Sequence, residues 1–118
     1  ATSMSIQRLH TESRYSEIVI HNGTVYLAGQ LADDYRGDIR QQTRETLASI
    51  DRFLAEAGTD KSRILSVTIY LKDMADYAGM NAEWDAWVVP GATPARATVE
   101  AKLYDAQVRV EMSVIAAL

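Results

Sequence analysis

The spacing of apolar residues changes along the chain, and each change marks an element. Ile18-Val19-Ile20 and Val25-Tyr26-Leu27 are short apolar runs flanking His21-Asn22-Gly23-Thr24. Asn and Gly accept the positive φ angles of a tight turn, so this stretch predicts a hairpin. Ile6 to Leu9 adds an edge strand before it. From Asp38 the period lengthens. Ile39, Thr43, Leu47, Ile50, Leu54 and Ala57 fall on one stripe of a helix that Asp38 can cap and Gly58 can end. Ile64 to Leu71 alternates, with Leu65, Val67, Ile69 and Leu71 on one face and Ile64, Ser66, Thr68 and Tyr70 on the other. A second helix follows, capped by Asp73 or Asp76, with Met74, Tyr77, Asn81, Trp84 and Val88 at helical spacing until Pro90-Gly91. Two strands close the chain, about Arg96 to Leu103 and Gln107 to Ala116. The second carries Val108, Val110, Met112 and Val114 on its apolar face.

The order strand-strand-helix-strand-helix-strand-strand predicts an α+β fold: a mixed β-sheet with two helices on one face. The uncovered face is expected to carry Ser66, Thr68, Tyr70, Thr98, Arg109 and Glu111 beside Ile64 and Ile115. That mixture is too apolar for a purely solvated surface and too polar for a dry core, so it predicts a homo-oligomer with ligand clefts where subunits meet.

Composition narrows the picture. With 118 residues, 47% of them hydrophobic, the chain reads as one domain over 4–118, and Ala1-Thr2-Ser3 ahead of Met4 reads as a remnant outside it. The net charge of −4 comes with scattered basic residues, which argues against a nucleic-acid partner. Cysteine is absent, which removes disulfides and thiol nucleophiles from consideration and fits a cytoplasmic location. Apolar runs are too short for a membrane span, and no leader pattern is seen. His10, His21 and Asp33-Asp34 form no metal-ligand pattern, so neither a metal nor another cofactor is expected. No phosphate loop and no Ser/His/Asp arrangement can be named.

Chemistry concentrates in Thr93-Pro94-Ala95-Arg96-Ala97-Thr98-Val99-Glu100, where a loop enters a strand with Arg96, Thr98 and Glu100 on one side. A guanidinium partly removed from water can grip a carboxylate through two parallel hydrogen bonds; a structural ion pair with Glu100 or Glu111 is the alternative. Glu111 points away from its apolar neighbours, toward the mixed face also assigned to Arg96, and could serve as a general base or as a partner for Arg109 or Arg96. Gly29 could let a ligand reach a backbone N–H or could mark a bulge. Tyr15 could cover a pocket or simply pack. Trp84 and Trp87 read as helix packing.

These residues lie in motifs that resemble the Rid family of reactive intermediate deaminases, also called YjgF and labelled endoribonuclease L-PSP. The matching stretches are Asn22-Gly23 with Tyr26-Leu27-Ala28-Gly29-Gln30, Val67-Thr68-Ile69-Tyr70-Leu71-Lys72-Asp73-Met74, Met80-Asn81, Pro94-Ala95-Arg96 with Thr98-Val99-Glu100, and Val108-Arg109-Val110-Glu111 with Val114-Ile115-Ala116. Arg14-Tyr15-Ser16 and Trp84-Asp85-Ala86-Trp87-Val88 look most like the YoaB branch.

The resemblance implies a chorismate-mutase-like homotrimer whose sheets form a central barrel, with clefts between subunits. It implies hydrolysis of enamine and imine intermediates such as 2-aminoacrylate to a 2-oxo acid and ammonia, without a cofactor. Arg96 matches the family arginine that binds the substrate carboxylate and Glu111 the acid that positions water, while Gly29 offers its N–H, Tyr15 closes the pocket and Thr98 lies beside the substrate. Thr98 stands where a cysteine is common and Ala28 where a serine is common. The alternatives are a non-catalytic module binding a small carboxylate such as a 2-oxo acid, and the ribonuclease of the older label.

Overall fold

The computed structural model describes residues 5–118; Ala1-Thr2-Ser3 and Met4 lie outside them. Six strands form one mixed sheet in the order β1-β2-β3-β6-β4-β5. β1 is Gln7–Thr11, β2 Ser16–His21, β3 Thr24–Gln30, β4 Ile64–Leu71, β5 Ala95–Glu100 and β6 Val110–Ala117; the helices are α1, Ile39–Ala57, and α2, Tyr77–Trp87.

Local chemistry sets most of the boundaries. Asn22 and Gly23 take φ of 51° and 76°, closing the β2–β3 hairpin at the His21–Thr24 pair. Asp38 accepts the Gln41 N–H at 2.9 Å to cap α1, and Gly58 ends it with φ of 91°. At α2, Asp73 accepts the Ala75 N–H of a single 3₁₀ turn, whereas Asp76 stands at the cap position without a side-chain cap bond. α2 joins β4 to β5, and the two strands accordingly pair in parallel, Val67 beside Arg96 and Ile69 beside Thr98. The last two strands are shorter than expected, because residues 101–109 form a loop.

α1 packs on β2, β3, β6 and α2. The core between helices and sheet holds Ile18, Val25, Ile50, Leu54, Val67, Ile69, Met80, Val110, Met112 and Val114. The other face carries Tyr26, Val99 and Ile115, all exposed, among Ser66, Thr68, Tyr70, Ser113 and Glu111.

Two expectations about faces are corrected. A bulge between Ile64 and Ser66 shifts the parity at the start of β4, so Ile64 is 5% exposed and belongs to the core while Leu65 is 52% exposed. Met74, in the 3₁₀ turn before α2, and Tyr77, at the start of α2, are exposed, and the buried positions of α2 are Met80, Glu83 and Trp84.

Candidate functional site

The β3–β6 register slips between Leu27 and Gln30, so Ala28-Gly29 forms a bulge opposite Ser113 of β6. Glu111, paired with Tyr70 on the uncovered side of the sheet, lays its carboxylate against Gly29, and a methyl group at Gly29 would take the space that carboxylate occupies. The bulge and the close approach are thus one feature. Glu111 and Gly29 line a groove of about 590 Å³ together with Tyr15, Glu17, Arg52 and Tyr104. Burial lifts the Glu111 carboxyl above the ordinary glutamate pKa, and no group among the described residues donates a hydrogen bond to it. A carboxylate so placed is a competent proton acceptor toward a molecule in the groove.

The groove's floor is polar and fixed. Buried Gln30 donates to Glu17 Oε1 at 3.2 Å and to the Ala28 carbonyl at 2.9 Å, and its own oxygen accepts the Ser49 hydroxyl at 2.6 Å. This network ties the bulge to α1. At the rim, Tyr35 and Tyr104 meet hydroxyl to hydroxyl with edge-to-face rings, and that contact pushes the Tyr35 pKa up to about 12. Gln30, Ser49, Tyr35 and Tyr104 were not singled out by sequence reasoning. A buried amide on a strand leaves no pattern, and loop tyrosines 69 residues apart meet only once the chain is folded.

Arg96 lies elsewhere. Its partner across β4 is the core residue Val67, so it projects on the helix side of edge strand β5, whereas Glu111 projects on the uncovered side. The expectation that the two share a face is therefore wrong for a single chain. Side chains alternate along each strand, and parallel pairing puts Arg96, Thr98 and Glu100 level with Val67, Ile69 and Leu71. Thr98 leaves the uncovered face for the same reason. Arg109 leaves it as well, its guanidinium held by Asp76 at 3.3 Å.

α2 holds the Arg96 guanidinium. Asn81 Oδ1 accepts from Nη1 at 2.8 Å and the Tyr77 hydroxyl from Nη2 at 3.3 Å, while the Trp84 and Tyr77 rings stand 5.2 and 5.9 Å from its central carbon. Among the described residues no carboxylate comes within ion-pair distance of it. Glu100 instead accepts the Met74 N–H at 2.8 Å, so neither carboxylate considered as its structural partner neutralises it. Two residues along the same face, the Thr98 hydroxyl is buried with no hydrogen-bond partner. The structure therefore gathers Tyr15, Gly29 and Glu111 in one place and Arg96 with Thr98 in another. Asn81 and Tyr77 stood in the sequence only as positions at helical spacing, Asn81 also in the family motif Met80-Asn81; in the structure they lie on the flank of α2 that faces Arg96 of β5.

His10 pairs with Glu56 and packs 5.4 Å from the Phe53 ring, and Asp34 pairs with Arg36 at 3.0 Å. Among the described residues no group of three His, Asp or Glu converges as a metal site, and no helix is long and apolar enough to cross a membrane.

Comparison with known proteins agrees with this architecture. The family profile described as endoribonuclease L-PSP matches residues 5–118. A RutC family protein of Haemophilus ducreyi is 47% identical over 113 residues, covering 96% of this chain and 97% of that protein. The RutC family protein YoaB of Escherichia coli is 45% identical over 115 residues, covering 98% and 100%. The crystal structure of a YjgF family member from Neisseria meningitidis superimposes with a TM-score of 0.94 at 49% identity, covering 97% of this chain and 95% of that one. With its motifs, its sheet order and these relatives in agreement, the chain belongs to the endoribonuclease L-PSP family, that is the Rid/YjgF family, close to its YoaB-like branch.

Proposed function

We propose that the protein hydrolyses reactive 2-imino acids, and the enamines that tautomerise to them, to 2-oxo acids and ammonia. The observation that carries this reading is a guanidinium held wholly by neutral groups, Asn81 and Tyr77, with an unpaired Thr98 hydroxyl beside it. A partly buried arginine without a carboxylate partner keeps its positive charge, Nε and the hydrogens not given to Asn81 and Tyr77 for a substrate carboxylate. Glu111, raised in pKa and set on Gly29, supplies the base.

Because Arg96 and Glu111 project from opposite faces of the sheet, the reading requires two copies of the chain, the Arg96 side of one meeting the Glu111 groove of the next. The exposed Tyr26, Val99 and Ile115 on the uncovered face support closure into a homotrimer around that face. Arg96 then anchors the carboxylate with the C=N carbon over Glu111. Glu111 takes a proton from water as the oxygen bonds to that carbon. Glu111 returns that proton to the nitrogen, giving a carbinolamine; as the adduct collapses its hydroxyl gives up its proton through Glu111 to the nitrogen, the C=O bond forms, the C–N bond breaks, and ammonia leaves. Gly29 N–H and Tyr15 border this space. The substrate is already an electrophile, so its own C=N bond supplies the activation.

The test is ammonia release from imino acids generated in situ by an amino-acid oxidase, above the spontaneous rate. Arg96→Ala and Glu111→Gln are expected to lose that acceleration while remaining folded. Ligand-dependent melting with a 2-oxo acid but no turnover would replace the enzyme with a binding module.

A further inference from the structure

We propose that Asn81 is a positioning residue for the Arg96 site: its uncharged oxygen fixes one nitrogen of the guanidinium and leaves the positive charge uncancelled for an incoming carboxylate. The proposal rests on the reading of Arg96 as the carboxylate anchor and adds what sets that anchor.

Charge on α2 is partitioned. Glu83, two residues from Asn81, is buried and turned toward α1, where Arg40 holds it at 2.7 Å and Arg44 at 3.2 Å. Arg36 and Arg109 likewise have aspartate partners. Arg96 stands apart from these four. An aspartate at 81 would have almost the same shape as the asparagine and would place the same oxygen at the same nitrogen, but it would neutralise the guanidinium. The Trp84 and Tyr77 rings restrict the guanidinium plane without supplying a negative charge. Nη1 is committed to Asn81 and Nη2 also donates to the Tyr77 hydroxyl at 3.3 Å, so an incoming carboxylate takes Nε and the hydrogens these two bonds leave over.

The test compares the assembled wild-type protein with Asn81→Asp and Asn81→Ala, using pyruvate as the probe in calorimetry, the imino-acid assay as a second readout, and thermal melting to verify folding. Asn81→Asp is expected to weaken pyruvate binding at least about tenfold at about pH 7.5, with the loss in KM rather than kcat. Asn81→Ala, which leaves the charge intact, should lose less. Pyruvate binding in Asn81→Asp equal to wild type overturns the proposal. So does an equal loss in both variants, because that pattern belongs to a merely structural residue. Wild-type binding of pyruvate together with no imine hydrolysis would overturn the proposed reaction while upholding the role of Asn81 if the variants separate as described.

Discussion

Glu111 owes its properties to two neighbours, the sheet that partly buries it and the glycine that makes room for it. Burial favours the protonated form, so the stabilisation that goes with its raised pKa is fully present in acid, below the unfolded glutamate value, and is lost as pH rises through the folded value. Glu111→Gln therefore removes an ionisation penalty at neutral pH. The variant is expected to melt at or above the wild-type temperature at pH 7 while losing roughly 10²–10⁴ in imine hydrolysis. Wild-type activity should rise with pH along a limb lying above the ordinary glutamate range, and that limb should be missing from the variant's residual rate. Gly29→Ala tests the same point from the backbone. The atom displaced is the end of a flexible side chain, so the fold should survive, but the carboxylate must move and activity should fall toward that of Glu111→Gln. Arg96, Glu111 and Gly29 stood out in the sequence as candidates, with a structural ion pair or a bulge open as alternatives, and their site roles came from the family resemblance; the contact of Gln30 with Ser49 was not legible, since a buried hydrogen-bond floor depends on contacts between elements.

The helices and strands follow their turn and cap residues closely, and the departures have local causes. Asn22-Gly23, Asp38 and Gly58 act where their chemistry predicts. The β4 alternation fails at its first two residues, Ile64 and Leu65, because a bulge inserts there, and nothing in Ile64-Leu65-Ser66 announces it. On α1 the apolar stripe was legible but the polar burial beside it was not. Gln42 is fully buried, donating to the carbonyls of Tyr35, Gly37 and Gln107 at 3.0 Å each and accepting the Arg109 N–H at 2.9 Å. It thereby pins the loops on both sides of the groove to α1. Gln42→Leu would leave these groups unsatisfied and is expected to cost about 3 kcal/mol in urea unfolding. The Tyr35–Tyr104 contact should loosen with it, visible as a fall in the tyrosine pKa from about 12 toward the ordinary value in a spectrophotometric titration.

For the whole molecule, the fold class and the two-helix, one-sheet arrangement were legible from element order alone, whereas the faces of the site were not. Strand periodicity says which residues share a face within a strand; it does not say which face of β5 matches which face of β6 until the parallel β4–β5 register is known. That register puts Arg96 and Glu111 on opposite sides, and it makes the proposed chemistry a property of an assembly. Disrupting the uncovered face, for example by Ile115→Asp, should reduce the assembly to smaller species in sedimentation and abolish activity together. The most direct measurement mixes two inactive chains. Arg96→Ala and Glu111→Gln subunits, co-expressed or unfolded and refolded together, should regain activity, because some interfaces then join an intact Arg96 to an intact Glu111; random assembly of an equal mixture into closed rings restores about a quarter of the sites. Mixed assemblies that form but stay as inactive as either parent would contradict the shared site.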